Sequence, residues 1–201
     1  MPIGVELPIQ LPAFGEARDR LNLSSDRVLL LFMSRIDPKK GLDLLFPALE
    51  ILVTEGWDFD FVLAGTNPQD PDYENEIHKQ IKNSSLADRT IITGFVTGEN
   101  KFQLLRDADI FVLPSYYENF GISVAEAMAI GTPVVISDRV HIFHEIEQSE
   151  AGWVANCNVE DLTAKLRLAL QDRDERIRRG LYGREYAFTN YSWSAIARQT
   201  I

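Results

Sequence analysis

Short, predominantly apolar runs alternate with stretches of helical apolar spacing through most of this chain, and no other feature constrains its fold as strongly. The runs lie at 27–34 (RVLLLFMS), 59–64, 90–95, 110–113, 133–137 and 152–155. A strand with one wet face alternates polar and apolar residues, whereas one that is apolar throughout is buried on both faces. Between the runs, Leu42, Leu45, Leu49, Leu52 and Val53 recur at helical spacing, as do Ile122, Val124, Ala125, Met128 and Ala129. Residues 73–83 and 99–106 read as further helices, 17–23 as a short one and 143–148 as a helical turn. Asn158 is placed to cap a helix that has Glu160 and Asp161 in its first turn. Two more helices are expected, near 174–188 and from Ser192 to the end. Buried strands alternating with helices predict an α/β fold: a doubly wound parallel sheet of about six strands, helices on both faces, and additional C-terminal helices. Right-handed crossovers would bring the loops at 35–41, 65–72, 94–98, 114–121 and 137–142 to one edge of the sheet. Ligands of open α/β sheets bind at that edge.

With 201 residues, the chain is long enough for one domain with a substantial core. A single cysteine, Cys157, excludes an internal disulfide and fits a reducing compartment. No stretch resembles a signal peptide or a membrane span. Twenty Lys and Arg against 30 Asp and Glu give a formal net charge of −10. That balance argues against nucleic acid or an anionic membrane surface as a partner. It also means that any bound anion must be met by cations placed locally at the strand ends.

The chemistry concentrates in Ser115-Tyr-Tyr-Glu-Asn-Phe-Gly-Ile-Ser-Val-Ala-Glu126, which reads as loop and helix start after the fourth strand. Gly121 stands where the helix begins, and a helix N-terminus offers free N–H groups to an anion. Glu118 and Glu126 bracket the turn, and each carboxylate can accept from neighbouring hydroxyls of a sugar ring or a ribose. Arg35 and Lys40 lie in the loop after the first strand, where a guanidinium and an ammonium could together neutralise a diphosphate. On spacing alone, an ordinary solvated loop and an amphipathic-helix acid fit these residues as well. Three Asp-any-Asp pairs (58/60, 70/72 and 107/109) are too common in so acidic a chain to mark a metal site, and structural roles are expected for them. His78, His141 and His144 lack metal-ligand spacing. There is no Walker loop and no Gly-x-Gly-x-x-Gly after the first strand, which argues against a dinucleotide dehydrogenase.

Taken together, these residues resemble the C-terminal, nucleotide-sugar-binding domain of a GT-B glycosyltransferase of the large family 4, or group 1, type. Ser34-Arg-Ile-Asp-Pro-Lys-Lys-Gly41 resembles that family's Arg…Lys-Gly loop. Glu118-Asn-Phe-Gly-Ile-Ser-Val-Ala-Glu126 is similar to its two-glutamate signature, Gly94-Phe-Val96 to its base-contacting segment, and Gly131-Thr-Pro-Val-Val to the strand after the signature helix. The resemblance implies a Rossmann-like fold and a retaining hexosyltransferase that needs no cofactor or metal and uses a UDP-, GDP- or ADP-sugar as donor. It implies that Arg35 and Lys40 hold the diphosphate and that Glu118 meets the donor sugar. Gly121 and Ile122 would offer backbone N–H groups, and Glu126 would accept from the ribose. Val96 would flank the base, with Leu104 or Leu105 packing near it. The family's glycines are missing from 138–145, although Glu145 stands where its acid would be. By the same resemblance, residues 1–24 are an interdomain linker remnant and short helix, 25–190 the donor domain, and 191–201 the start of a helix returning to an absent N-terminal, acceptor-binding domain. The fragment alone would be inactive. The location implied is cytoplasmic, with a peripheral position at the inner face of the membrane left open through the absent domain. Two alternatives stay open from the sequence: a non-catalytic nucleotide-sugar-binding module, and a Rossmann-like partner-binding domain.

Overall fold

A computed structural model describes residues 10–193 together with Val5, Pro8, Ala195 and Ala197. Six strands form one parallel sheet: β1 (Val28–Met33), β2 (Phe59–Ala64), β3 (Thr90–Gly94), β4 (Ile110–Leu113), β5 (Val134–Ser137) and β6 (Gly152–Ala155). Their order is β3-β2-β1-β4-β5-β6. Among the described residues the helices with defined bounds are α1 (Glu16–Leu21), α2 (Leu42–Thr54), α3 (Pro71–Lys82), α4 (Gly98–Asp107), α5 (Ile122–Ile130), α6 (Phe143–Ser149), α7 (Val159–Gln171) and α8 (Arg173–Asn190). Residues of β1, β2, β4 and β5 are buried almost without exception, as continuous apolar runs require when helices cover both faces. On these faces α2 packs beside α7, α1 beside α4, and both α4 and α8 beside α5.

The order reverses between β1 and β4, which pair with Leu30 opposite Ile110 and Leu31 opposite Phe111. This is the topological switch point of a doubly wound sheet, where the loops leaving two neighbouring strands diverge to opposite faces and open a crevice. The loop after β1 carries Arg35 and Lys40, and the loop after β4 carries Glu118. Residues far apart in sequence therefore meet because their strands are neighbours.

Local chemistry explains the boundaries. The Asp70 carboxylate accepts from Tyr73 N at 3.1 Å and caps α3, with Pro71 at its first position. The helix thus starts two residues earlier than the apolar spacing from Tyr73 suggests. Asn158 Oδ1 accepts from Asp161 N at 2.9 Å, the cap expected for α7. The fifth strand starts at Val134, since Pro133 has no N–H to give to a ladder, while its carbonyl accepts from Phe111 N at 3.0 Å. Val5 N donates to Tyr191 O at 2.9 Å, so these two segments run side by side. Most of the expected linker at 1–9 and of the expected last helix beyond Trp193 lies outside the described residues.

Five of the six paired aspartates have structural partners, Asp70 as the cap of α3. Asp107 caps the start of α1, and Asp109 pairs with Arg18 at 2.7 Å and accepts from Leu29 N at 2.8 Å. Both stand at the start of β4, the edge opposite the crevice. Asp58 and Asp60 pair with Arg27 at 3.2 and 3.3 Å.

Candidate functional site

A cavity of about 750 Å³ opens at the C-terminal edge of β1–β4, large enough for a nucleotide-sized ligand. The loops after the first four strands all supply lining residues: Ser34, Arg35 and Lys40 after β1, Gly65, Thr66 and Pro68 after β2, Phe95 and Val96 after β3, and Glu118 after β4. Helices α4 and α5 add Lys101, Ile122, Ser123 and Glu126.

Lys40 is the last residue of a 3₁₀ turn, Pro38–Lys40, capped by the Asp37 side chain, which accepts from Lys39 N at 3.0 Å. Gly41 follows with φ of 72°, and a Cβ there would come within 2.1 Å of the Pro114 carbonyl oxygen. Only glycine lets the loop after β1 lie so close against the loop after β4. Tyr116 N donates to Lys39 O at 2.8 Å and closes the contact. The Tyr116 hydroxyl donates to Asp43 at 2.7 Å, and this bond is the main reason its pKa is pushed up to about 12. The two loops therefore form one interlocked unit across the switch point, and Lys40 Nζ donates to Glu118 Oε2 within it.

Glu118 is held by its backbone as well. Its N–H donates to Arg139 O at 3.2 Å, and its carbonyl accepts from His141 N at 2.9 Å. The 138–142 loop, which lacks the glycines expected of it, thus clamps the backbone of Glu118 without lining the cavity. After Glu118 the chain turns through Gly121 with φ of 77°, where a Cβ would crowd Val124 and Val140 at 3.1 and 3.2 Å. Gly121 itself lies outside the lining, whereas Ile122 and Ser123, the first residues of α5, face the cavity. The first N–H groups of a helix have no acceptor within it and stay available to a ligand.

Glu126 is buried on α5 and accepts from Lys101 Nζ at 2.6 Å. Arg35 is half-exposed, donating to Gln69 at 3.0 Å and pairing with Asp37 at 3.3 Å. Leu104 and Leu105 belong to the core and do not line the cavity. Phe95, 76% exposed, supplies the apolar wall beside Val96 instead. Sequence reasoning placed Phe95 in the base-contacting segment but gave its side chain no role, and it missed Lys101. The signal for Lys101 was present: it is a cation in the first turn of its helix, where the helix dipole disfavours positive charge. The Cys157 thiol is pushed up by burial, the opposite of an activated nucleophile. His141 and His144 are exposed, and among the described residues no three His, Cys, Asp or Glu side chains gather as a metal site. No helix among those residues is long and apolar enough to cross a membrane.

The cavity thus holds three cations and two carboxylates, each carboxylate bound by a lysine. It can take an anion at Arg35 and Lys40 and hydroxyl donors at Glu118 and Glu126.

Residues 14–186 match the family described as Glycosyl transferases group 1. The chain is 30% identical over 185 residues to an uncharacterized glycosyltransferase of Methanocaldococcus jannaschii, covering 92% of this chain and 46% of that protein. Its structure is similar to sucrose-phosphate synthase from Thermosynechococcus elongatus, with TM-score 0.86, 29% identity, and coverage of 99% of this chain and 50% of the other. The fold is also that of Anabaena HepE solved in complex with UDP-glucose, at TM-score 0.81 and 22% identity over 92% of this chain and 50% of the other. The chain spans about half the length of the relatives it matches.

Proposed function

The chain belongs to the group 1 glycosyl transferases and has the sheet of the GT-B fold; from this we propose that it is the donor-binding half of a retaining hexosyltransferase. The ligand is a nucleoside diphosphate sugar, and the observation that carries the reading is the pairing of Lys40 with Glu118 and of Lys101 with Glu126 in one cavity at the start of α5. A carboxylate held by a lysine beside a helix N-terminus leaves each partner a separate task once an anion arrives. The diphosphate takes Lys40 and Arg35. Glu118, relieved of its lysine, accepts from hydroxyls of the transferred sugar. Gly121 turns the chain into α5 so that Ile122, in the first turn, directs its N–H group at the sugar and phosphates; Glu126 accepts from the ribose, and Val96 flanks the base. That HepE, of the same fold, was solved with UDP-glucose supports this ligand class. The base is that of a UDP-, GDP- or ADP-sugar.

The chemistry follows from charge. The bond between the anomeric carbon and the phosphate oxygen breaks, and the diphosphate leaves with the electron pair. Arg35 and Lys40 stabilise that developing charge in a partly dry crevice. Glu118 fixes the sugar so that the acceptor oxygen enters on the face the diphosphate leaves, and the hydroxyl proton it sheds passes to the departing phosphate oxygen. An N-terminal domain would present the acceptor hydroxyl, so the chain by itself binds donor without turning it over. No metal or organic cofactor takes part in this scheme. The products belong to polysaccharide or glycoconjugate synthesis, and the setting is cytoplasmic. In a protein carrying both domains, transfer from an α-linked donor should give an α-linked product, read from the anomeric proton coupling in NMR. A β-linked product would rule out retention, and no transfer from any of the three donor types would rule out the enzyme.

A further inference from the structure

We propose that Lys101 is a positioning residue for Glu126 and, through it, makes the site prefer ribonucleotides to their 2′-deoxy analogues. The inference rests on the reading above that Glu126 accepts from the ribose. Glu126 is the one charged residue of α5, and its neighbours Val124, Ala125, Ala127 and Met128 are all fully buried. A buried carboxylate is stable only if paired and hydrogen-bonded. Among the described residues its partner is Lys101, whose Nζ donates to Oε1 at 2.6 Å, with side chains 20% and 10% exposed.

Nothing in α4 itself recommends a cation at Lys101. It occupies the fourth position of the helix, in the first turn, where the dipole opposes positive charge. Its Nζ lies 4.5 Å from the ring centroid of Phe102, an aromatic face that holds the ammonium on the side of Glu126. The other cavity cations are engaged elsewhere, Lys40 with Glu118 and Arg35 with Asp37. With Oε1 taken by Lys101, the carboxylate is fixed in orientation, and its remaining lone pairs, Oε2 included, are free in a residue that lines the cavity. An acceptor-only group so fixed suits the vicinal hydroxyls of ribose. A site built to bond a hydroxyl discriminates against the analogue that lacks it, because the buried acceptor is then left unpaired.

The test is calorimetric titration of the chain with UDP and 2′-deoxy-UDP, with the GDP and ADP pairs run alongside. The unaltered chain should bind one ribonucleotide about 10-fold tighter than its deoxy analogue, the worth of one hydrogen bond to a charged group. In Lys101→Met that ratio should fall toward one, through loss of ribonucleotide affinity alone. Lys101→Arg, which keeps the cation, should recover most of the ratio. Lys101→Gln, which keeps a donor without charge, gives a second reading if the Met variant does not fold. Equal losses for both nucleotides would assign Lys101 a purely structural or long-range electrostatic role and overturn the inference, as would an unchanged ratio. Binding by the unaltered chain with no preference between the two sugars would remove the ribose role of Glu126 and the inference with it. No binding of any nucleoside diphosphate would defeat the donor-site reading first.

Discussion

Lys40→Ala is expected to weaken binding of a nucleoside diphosphate by about 100-fold, roughly 3 kcal/mol. Two effects add. The diphosphate loses the cation best placed for it, and Glu118 is left as an uncompensated carboxylate in the mouth of the same cavity. The Lys40 and Glu118 side chains are only 15% and 22% exposed, so water screens this repulsion poorly. The control is Glu118→Gln, which removes the negative charge and releases Lys40. It should tighten binding of the bare nucleoside diphosphate a few-fold while lowering the preference for the sugar-linked form. If Lys40→Ala and Glu118→Gln shifted diphosphate affinity in the same direction, the ion pair would not be the group that exchanges for phosphate. Calorimetry on folded protein reads both, with circular dichroism as the check on folding.

The second large effect lies at the opposite edge of the sheet. Asp107→Ala should destabilise the fold by about 3 kcal/mol or more, measured as the shift in a chemical denaturation curve. The side chain is 1% exposed, and its two oxygens accept from Gly15 N at 2.6 Å, Ala17 N at 2.7 Å and Arg18 N at 2.9 Å. These are the free N–H groups at the start of α1, and no side chain within α1 caps them. The Asp107 carbonyl also accepts from Arg18 Nε at 3.2 Å, and Arg18 is a buried cation that in turn pairs with Asp109. Removing the carboxylate orphans two buried donors and a half-buried one, and loosens the buried arginine beside them. A loss below about 1 kcal/mol, the range of an ordinary exposed hydrogen bond, would contradict this role. Nucleotide affinity of the folded protein should be unchanged, because the cavity lies at the other end of β4.

The sheet was legible in the sequence because its strands are buried on both faces. Nothing polar interrupts 59–64, 110–113 and 152–155 in a way that blurs the pattern, apart from Asp60, which is matched by Arg27. The periodicity carried no information on which strands are neighbours, so the meeting of Lys40 with Glu118 could be expected from the motif resemblance but not from spacing. Gly41 and Gly121 were visible as glycines; that Gly41 is required by the Pro114 carbonyl, and Gly121 by Val124 and Val140, is a property of the packed loops. Lys101 carried only one sequence signal, a cation in the first turn of its helix, and that signal names no partner, because Glu126 lies on another element. The 138–142 loop was hardest to read. It acts through backbone bonds to Glu118, and backbone bonds leave no trace in side-chain identity.

The central claim is that the crevice at the β1–β4 switch point binds a nucleoside diphosphate through its phosphates. The direct measurement is a calorimetric comparison of UDP with uridine, GDP with guanosine and ADP with adenosine on the chain and on Arg35→Ala. For at least one base, the diphosphate should bind at least about 10-fold tighter than the nucleoside, as charge-assisted bonds from Arg35 and Lys40 require, and Arg35→Ala should remove much of that difference while leaving nucleoside affinity in place. Equal affinities for nucleoside and diphosphate, or a difference that Arg35→Ala leaves untouched, would contradict it.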